Sequence, residues 1–260
     1  MKPYAAVIMD IKGSRNIKDR PYIQRKLQAH MDRLNYKYKK ILLLPIEFTL
    51  GDEWQILTQE LYECYNFIEE FQQLLGDDNI KLYAGIGIGY LSTDIGNHIG
   101  AMDGSCFIMA RQAIDIAKRN LQRKQIHSKD CRVFFCSIQK ESENINNSIV
   151  KADCLDEVAI DLKENKQCYK SDTKGMINNL INTLIENNEI LKERITDKQR
   201  MACISYGKLG TYRKMREVSE ASIGGISAKL NTANYFTINH NNEMIKSMLY
   251  NYCKLEEVLK

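Results

Sequence analysis

Apolar residues first cluster in this chain as a short run from Tyr4 to Met9 that ends at Asp10. A run of that length predicts a buried strand. Asp19 then precedes apolar positions at Ile23, Leu27, Met31, Leu34 and Tyr38. Steps of three and four residues predict an amphipathic helix. Residues 45–50 and 53–58 read as two strands split by Gly51-Asp52, a tight hairpin signal. Leu61, Tyr65, Ile68, Phe71 and Leu75 mark a second helix that stops at Gly76-Asp77. Residues 80–91 read as a central strand. Phe107, Ala110, Ile114, Ala117 and Leu121 give a third helix one apolar face, and residues 131–137 predict another strand. The order βαββαβ, with a further helix and strand, predicts an α+β fold: a ferredoxin-like, palm-type antiparallel sheet covered by helices.

Beyond this the pattern changes. Residues 138–150 are polar and rich in Asn, and read as a loop. From 151 to 193 the chain reads as mostly helical, with Met176, Leu180, Leu184 and Leu191 on one face. The stretch 171–175 is the best linker, so the expected units are a palm-like domain over 1–170 and a helical region over 176–260. Thr196 is an acceptable cap for a helix. Met215, Ser222, Ile226, Ser227 and Leu230 have the spacing of a helix-turn-helix within about 196–235. Its first helix is expected at 211–219, its turn near 220–222 and its second helix at 223–232. Arg213, Lys214, Ser222 and Lys229 are the candidates to face DNA. Ser219 stands where an apolar residue normally locks the first helix, and Glu220 replaces the usual turn glycine. A helical pair that packs or dimerises without DNA fits the pattern equally well.

Composition narrows this picture only a little. The chain has 260 residues, 44% hydrophobic and 27% charged, which suits a folded protein with a sizeable core. Its 37 basic and 33 acidic residues leave a formal net charge of +4, too mild to demand a nucleic-acid partner. The eight cysteines include no C-x-x-C pair and no zinc spacing, so they read as reduced, mostly buried thiols. The four His residues, at 30, 98, 127 and 240, are scattered and read as structural or exposed. No apolar run reaches membrane-spanning length, and Asp10 comes too early for a signal peptide, so a cytoplasmic protein is expected.

The candidate chemistry lies in carboxylates. Asp10 ends the first strand and Asp52 sits at the hairpin tip, two points that a palm-type sheet places side by side. With the main-chain carbonyl of Ile11, and with Glu53 as a third carboxylate, they would suit Mg²⁺ or Mn²⁺. Asp is also common at turns for purely local reasons. Gly51 supplies the unusual φ of a tight hairpin. Gly85, Gly87 and Gly89 alternate, so they share one face of their strand. Such a face admits a close neighbour, either a nucleotide base or ribose or a packed helix. Ser14 and Arg15 follow Asp10 closely enough to meet phosphates; Lys12, Lys18 and Arg20 add positive charge to the same stretch. Arg111 and Lys118 lie on nearly one helix face, with Asp115 placed to pair with them at the surface.

These segments resemble a known family. VIMDIKGSR (7–15), FTLGDEWQIL (48–57) and AMDGSCFIMARQAIDIAK (101–118) are similar to the signature of the bacterial SatD family, over about the first 135 residues. The same segments resemble, more distantly, class III nucleotidyl cyclases and GGDEF proteins. That resemblance implies a palm, nucleotidyl cyclase-like domain in which Asp10 and Asp52 bind metal ions that hold a nucleoside triphosphate or related nucleotide. If it is an enzyme, a Mg- or Mn-dependent cyclase or nucleotidyltransferase is implied. The cyclase motif V-N-x-x-x-R is matched at Arg111, but Phe107 stands where its Asn should orient the ribose. Binding is thus implied more strongly than cyclisation. The SatD resemblance also implies a helix-turn-helix tail and a link to acid and stress tolerance. The partners expected are a nucleotide, DNA, a second copy of the chain and no membrane.

Overall fold

The computed structural model describes residues 2–119, 127–138, 173–219 and 221–258. Five strands form one sheet: β1 (Tyr4–Ile11), β2 (Glu47–Leu50), β3 (Glu53–Thr58), β4 (Leu82–Gly89) and β5 (Val133–Ser137), in the order β2-β3-β1-β4-β5. Eight helices are described: α1 (Arg20–Lys37), α2 (Cys64–Gly76), α3 (Ser105–Arg119), α4 (Thr173–Glu193), α5 (Asp197–Leu209), α6 (Tyr212–Val218), α7 (Ile223–Thr232) and α8 (Tyr235–Val258). The fold is mixed α+β, as the hydrophobic pattern predicts. β3 matches its predicted run, β1 extends one residue past it, and β2, β4 and β5 are shorter than theirs by two residues at one or both ends; residues 61–63 form a 3₁₀ turn ahead of α2.

The sheet is not wholly antiparallel. β1 pairs antiparallel with β3 and β4, and β2 with β3, but β5 runs parallel to β4. The reason is the crossover through α3, since a helix between adjacent strands returns the second in the direction of the first.

Alternate side chains on each strand enter different cores. Val7 and Met9 of β1, Trp54 and Ile56 of β3 and Ile86 of β4 pack with Leu27 of α1 and Phe71 of α2. Ala6, Ile8 and Leu57 face the other way and pack with Ala110 and Ile114 of α3. Hence β3–α2–β4 and β4–α3–β5 step the same way across the sheet with their helices on opposite faces. The two crossovers must have opposite hand, against the strong general preference for right-handed ones.

The C-terminal helices do not stand apart. Ile181 and Ile185 of α4, and Ile245, Leu249 and Tyr252 of α8, are buried in the same core as α1 and α2. The expected split between 1–170 and 176–260 therefore does not divide two cores. Of the proposed linker, residues 173–175 already belong to α4; residues 171–172, like the expected loop and helix over 139–170, fall outside the described residues. Leu121 and Glu220 fall outside them too.

α4 also covers the sheet edge. Asn182 accepts from the Phe135 amide at 2.8 Å and donates to its carbonyl at 2.9 Å, imitating a neighbouring strand. A smaller cluster of Met215, Ile226 and Leu230 holds α5, α6 and α7 together. Here the two helices of the anticipated pair fall at 212–218 and 223–232, close to the predicted limits.

Candidate carboxylate site at the end of the sheet

Strand register brings the predicted carboxylates together. Asp10 lies opposite Glu53 across β1 and β3, so both side chains leave the sheet on the α3 face. Asp52 precedes Glu53 in the two-residue turn between β2 and β3. Of the two turn residues only Gly51 has positive φ, at 64°, the combination a type II′ turn requires. Ile11 ends β1 beside them, opposite Leu82, with its side chain in the core.

Three cations meet these acids. Arg111 of α3 donates to both oxygens of Glu53, at 2.6 and 2.8 Å. Gln55 and Thr49 donate to Glu53 as well, at 3.3 and 3.4 Å. Lys118, two turns further along α3, sits 2.6 Å from Asp10. Arg20, at the start of α1, lies 3.5 Å from Asp52. The surface pairing of Arg111 and Lys118 with Asp115 is thus not their principal arrangement: both reach back to the strand ends.

The electrostatics differ between buried Glu53 and half-buried Asp10. Burial pushes the Asp10 carboxyl above its usual value, with added repulsion from Asp52 and Glu53, and Lys118 offsets only part of this. Burial would also raise Glu53, but the hydrogen bonds and charge of Arg111, the Gln55 hydrogen bond and the charge of Lys118 together outweigh it and hold that carboxyl below its usual value. Asp10 is therefore the group whose ionised form lacks full compensation, and Glu53 is the well-satisfied one.

Both oxygens of Glu53 are held by Arg111, so the expectation of Glu53 as a free third ligand is corrected by its geometry. Among the described residues no group of three or more His, Cys, Asp and Glu side chains is placed to hold a metal ion. Asp10 and Asp52 are the two carboxylates that could hold one, with phosphate or water oxygens at its other positions.

The remaining sequence candidates separate. Ser14 and Arg15 lie in a 3₁₀ turn after β1, with Arg15 exposed. Gly85 and Gly87 do not face a nucleotide. A Cβ on Gly85 would come 2.3 Å from the Ala110 carbonyl oxygen, and one on Gly87 2.1 Å from the Ala110 nitrogen. Helix α3 fills the glycine face of β4, and close backbone packing is the physical reason for the glycines. At the other end of the chain, Ser222 caps α7 by accepting from Gly225 at 3.1 Å. Arg213 lies 3.6 Å from Glu217, and Lys214 and Lys229 are exposed. Ser219 donates to the Met215 carbonyl at 2.8 Å, closing α6 without an apolar lock.

Arg20 is expected from the sequence only as added positive charge near the first strand, and Thr49 and Gln55 stand in the FTLGDEWQIL segment with no role expected of them. The signal for Gln55 was present: it lies two residues from Glu53 on one strand and so shares its face.

The SatD family profile matches residues 4–211. The match spans most of the chain. The protein belongs to the SatD family. A comparison with curated proteins returns no match. The SatD match runs well past the first 135 residues and takes in β1 to β5, α4 and α5. It stops at Thr211, so the helix pair α6–α7 lies beyond it. No described helix is long and apolar enough to cross a membrane.

Proposed function

We propose that this SatD protein binds a nucleoside triphosphate, or a related nucleotide, with Mg²⁺ or Mn²⁺ where β1 meets the β2–β3 hairpin. The observation that carries the reading is the convergence of Asp10, Asp52 and Glu53 with Arg20, Arg111 and Lys118 at one end of the sheet. In support, the strand order β2-β3-β1-β4 is that of the βαββαβ unit, which we read as a palm.

Asp10 and Asp52 would hold the ion, and Ile11 would offer its carbonyl. A bound divalent cation would neutralise the two carboxylates and present open positions to phosphate oxygens. Lys118 and Arg20 now neutralise those same carboxylates. With the carboxylates otherwise engaged, their ammonium and guanidinium groups are free to turn to phosphates, joined by Ser14 and Arg15 from the adjacent turn. Glu53 acts by fixing Arg111. Residue 107 is Phe rather than Asn and packs against the α3 core, so we assign binding and not cyclisation.

Thermal shift with ATP or GTP and Mn²⁺ tests this. Ligand at about 100 times its Kd adds about 2.7 kcal/mol to the native state. The shift should vanish in Asp10→Ala and Asp52→Ala. A wild type with no metal-dependent shift would sink the reading.

A second reading concerns the tail. Residues 197–232 hold seven basic and three acidic residues, a surplus equal to the whole formal charge of the chain. We infer that α6 and α7 form a helix-turn-helix that contacts DNA phosphates through Arg213, Lys214 and Lys229. Deleting the tail would also remove core residues of α8, so surface substitution is the better test. Arg213→Ser, Lys214→Ser and Lys229→Ser should each lower the salt slope of DNA binding by about 0.9. An unchanged slope in the triple variant rules these side chains out.

A further inference from the structure

On the sheet face opposite the carboxylate site, a cavity of about 590 Å³ opens between α2, the residues entering β4, and helices α4, α5 and α8. Its size is that of a small-molecule site. One wall is cationic. Lys81 and Arg132 both pair with Glu193, Arg132 at 2.8 Å and with its side chain nine-tenths buried. Arg200 reaches in from α5 and donates to the Gly76 carbonyl at the end of α2. The acid paired with it, Asp197 at 3.6 Å, is 93% exposed and contributes little. Lys81 and Arg132 thus share one inward carboxylate, and Arg200 beside them is paired with the exposed Asp197.

The acids elsewhere on the cavity are already answered. Lys192 pairs with Glu69 and lies 3.5 Å from Glu189. Asn242 and Gln72 donate to the same two carboxylates, at 2.8 and 2.9 Å. Glu70 is held by Lys37 at 2.6 Å. The surplus charge is therefore positive and local to Lys81, Arg132 and Arg200. Burial pushes the Lys81 ammonium below its ordinary value, with repulsion from Arg132 and Lys12 and attraction from Asp130, so added negative charge there would be favourable. Beside this wall stand apolar residues, Ile204, Tyr235 and Ile238.

We propose that this cavity binds a small organic anion, its acid group against Lys81 and Arg200 beside Arg132, and its apolar part against Ile204, Tyr235 and Ile238. Because Arg200 and Ile204 belong to α5 and Lys81 to the segment entering β4, the ligand would pin α5 to the base of that strand. This site is separate from the carboxylate site and does not depend on the reading given to it.

Cys203 lines the same cavity and provides a reporter. The full chain is titrated with 8-anilinonaphthalene-1-sulfonate, an aromatic sulfonate, and N-ethylmaleimide labelling is followed at each cysteine by peptide mass spectrometry. Expected are a saturable fluorescence rise and, at ten times the measured Kd, about tenfold slower labelling of Cys203. Lys81→Met/Arg200→Met should bind at least about tenfold more weakly, since each removes a charge-assisted contact. Asp10→Ala, in the other site, should bind the probe as the wild type does. Unslowed labelling of Cys203 at saturation overturns the proposal. So does wild-type affinity in the double variant, or loss of binding in Asp10→Ala. If circular dichroism shows the double variant unfolded, Cys203 protection in the wild type and weakened binding by Ile204→Trp decide the matter.

Discussion

Replacing Gly87 by alanine would put a methyl carbon 2.1 Å from the Ala110 nitrogen and 2.2 Å from the Cys106 carbonyl oxygen. Both are helix backbone atoms, so no rotamer change can relieve the clash. To reach an ordinary contact of about 3.4 Å, α3 must retreat by more than about 1 Å along a strand where Gly85 and Gly89 bring it equally close. Overpacking of a core costs about 1–3 kcal/mol. A gap of 0.5–1 Å elsewhere along the helix forfeits a quarter to a half of each lost contact. Alanine recovers about 0.4–1 kcal/mol by restricting the unfolded chain. The balance is a loss of about 3 kcal/mol, a large share of a typical total of 5–15 kcal/mol. Trp54 is the only tryptophan and is fully buried, so its fluorescence reports urea unfolding directly. With an m-value of about 2–3 kcal/mol per molar, the midpoint should fall by about 1–1.5 M. Gly100→Ala is the control, because nothing lies within 4 Å of its added Cβ. A Gly87→Ala midpoint equal to that of the control would refute the reasoning, and with it the account of why β4 is rich in glycine.

Other consequences follow from single contacts. Arg111→Met strips Glu53, whose side chain is only 7% exposed, of its bidentate partner, while the Arg111 side chain itself is 45% exposed. The loss should be about 2 kcal/mol, below that of a fully buried pair, and Arg111→Met/Glu53→Met should regain most of it in urea titrations. His30 is buried, and burial, with repulsion from Arg33, pushes its pKa down from 6.5 to about 4. Between those values the unfolded state binds the extra proton, so stability should rise with pH from about 4 to 6.5, by about 3 kcal/mol in all. His30→Leu should flatten that rise; parallel curves for the two proteins would show that other groups cause it. Asn182→Leu leaves the Phe135 amide and carbonyl without their side-chain partner and should cost about 1–3 kcal/mol. Light scattering should reveal association through the uncovered edge of β5, and a variant as stable and monodisperse as wild type would count against the edge-cover role.

What could be read from the sequence was what repeats locally. Stripes at three- and four-residue steps placed α1, α2 and α3, because burial of one helix face forces those steps, and two strand-like runs with a Gly-Asp break placed the hairpin. The neighbourhood of Asp10 and Asp52 was legible for the same reason: strand ends and hairpin tips are fixed by register. The domain division was not. Ile181, Ile185, Ile245 and Leu249 show helical periodicity, but periodicity does not say against which sheet a helix packs. Nor could it show that Asn182, polar and half-buried, would serve as a strand partner. The same limit hid the cavity, whose cationic wall joins residues 81, 132 and 200 across long sequence separations.

The glycines of β4 tie the two kinds of information together. Alternation showed that they share a face, and a bare face implies a close neighbour, but a base and a helix leave the same trace in a sequence. The helix is what occupies that face, and its closeness has a consequence for the carboxylates. With its backbone seated directly on β4, α3 has little freedom to slide, so Arg111 and Lys118 are delivered to Glu53 and Asp10 from a fixed base. Glu53 is opposite Asp10 and repels it; Arg111 offsets part of that repulsion, and Asp10 is paired, among the described residues, with Lys118. A rigid helix that satisfies one acid completely and the other incompletely makes Asp10 the point at which added positive charge gains most. That asymmetry, more than the number of carboxylates, is why a metal-bound phosphate is the ligand we propose for this end of the sheet.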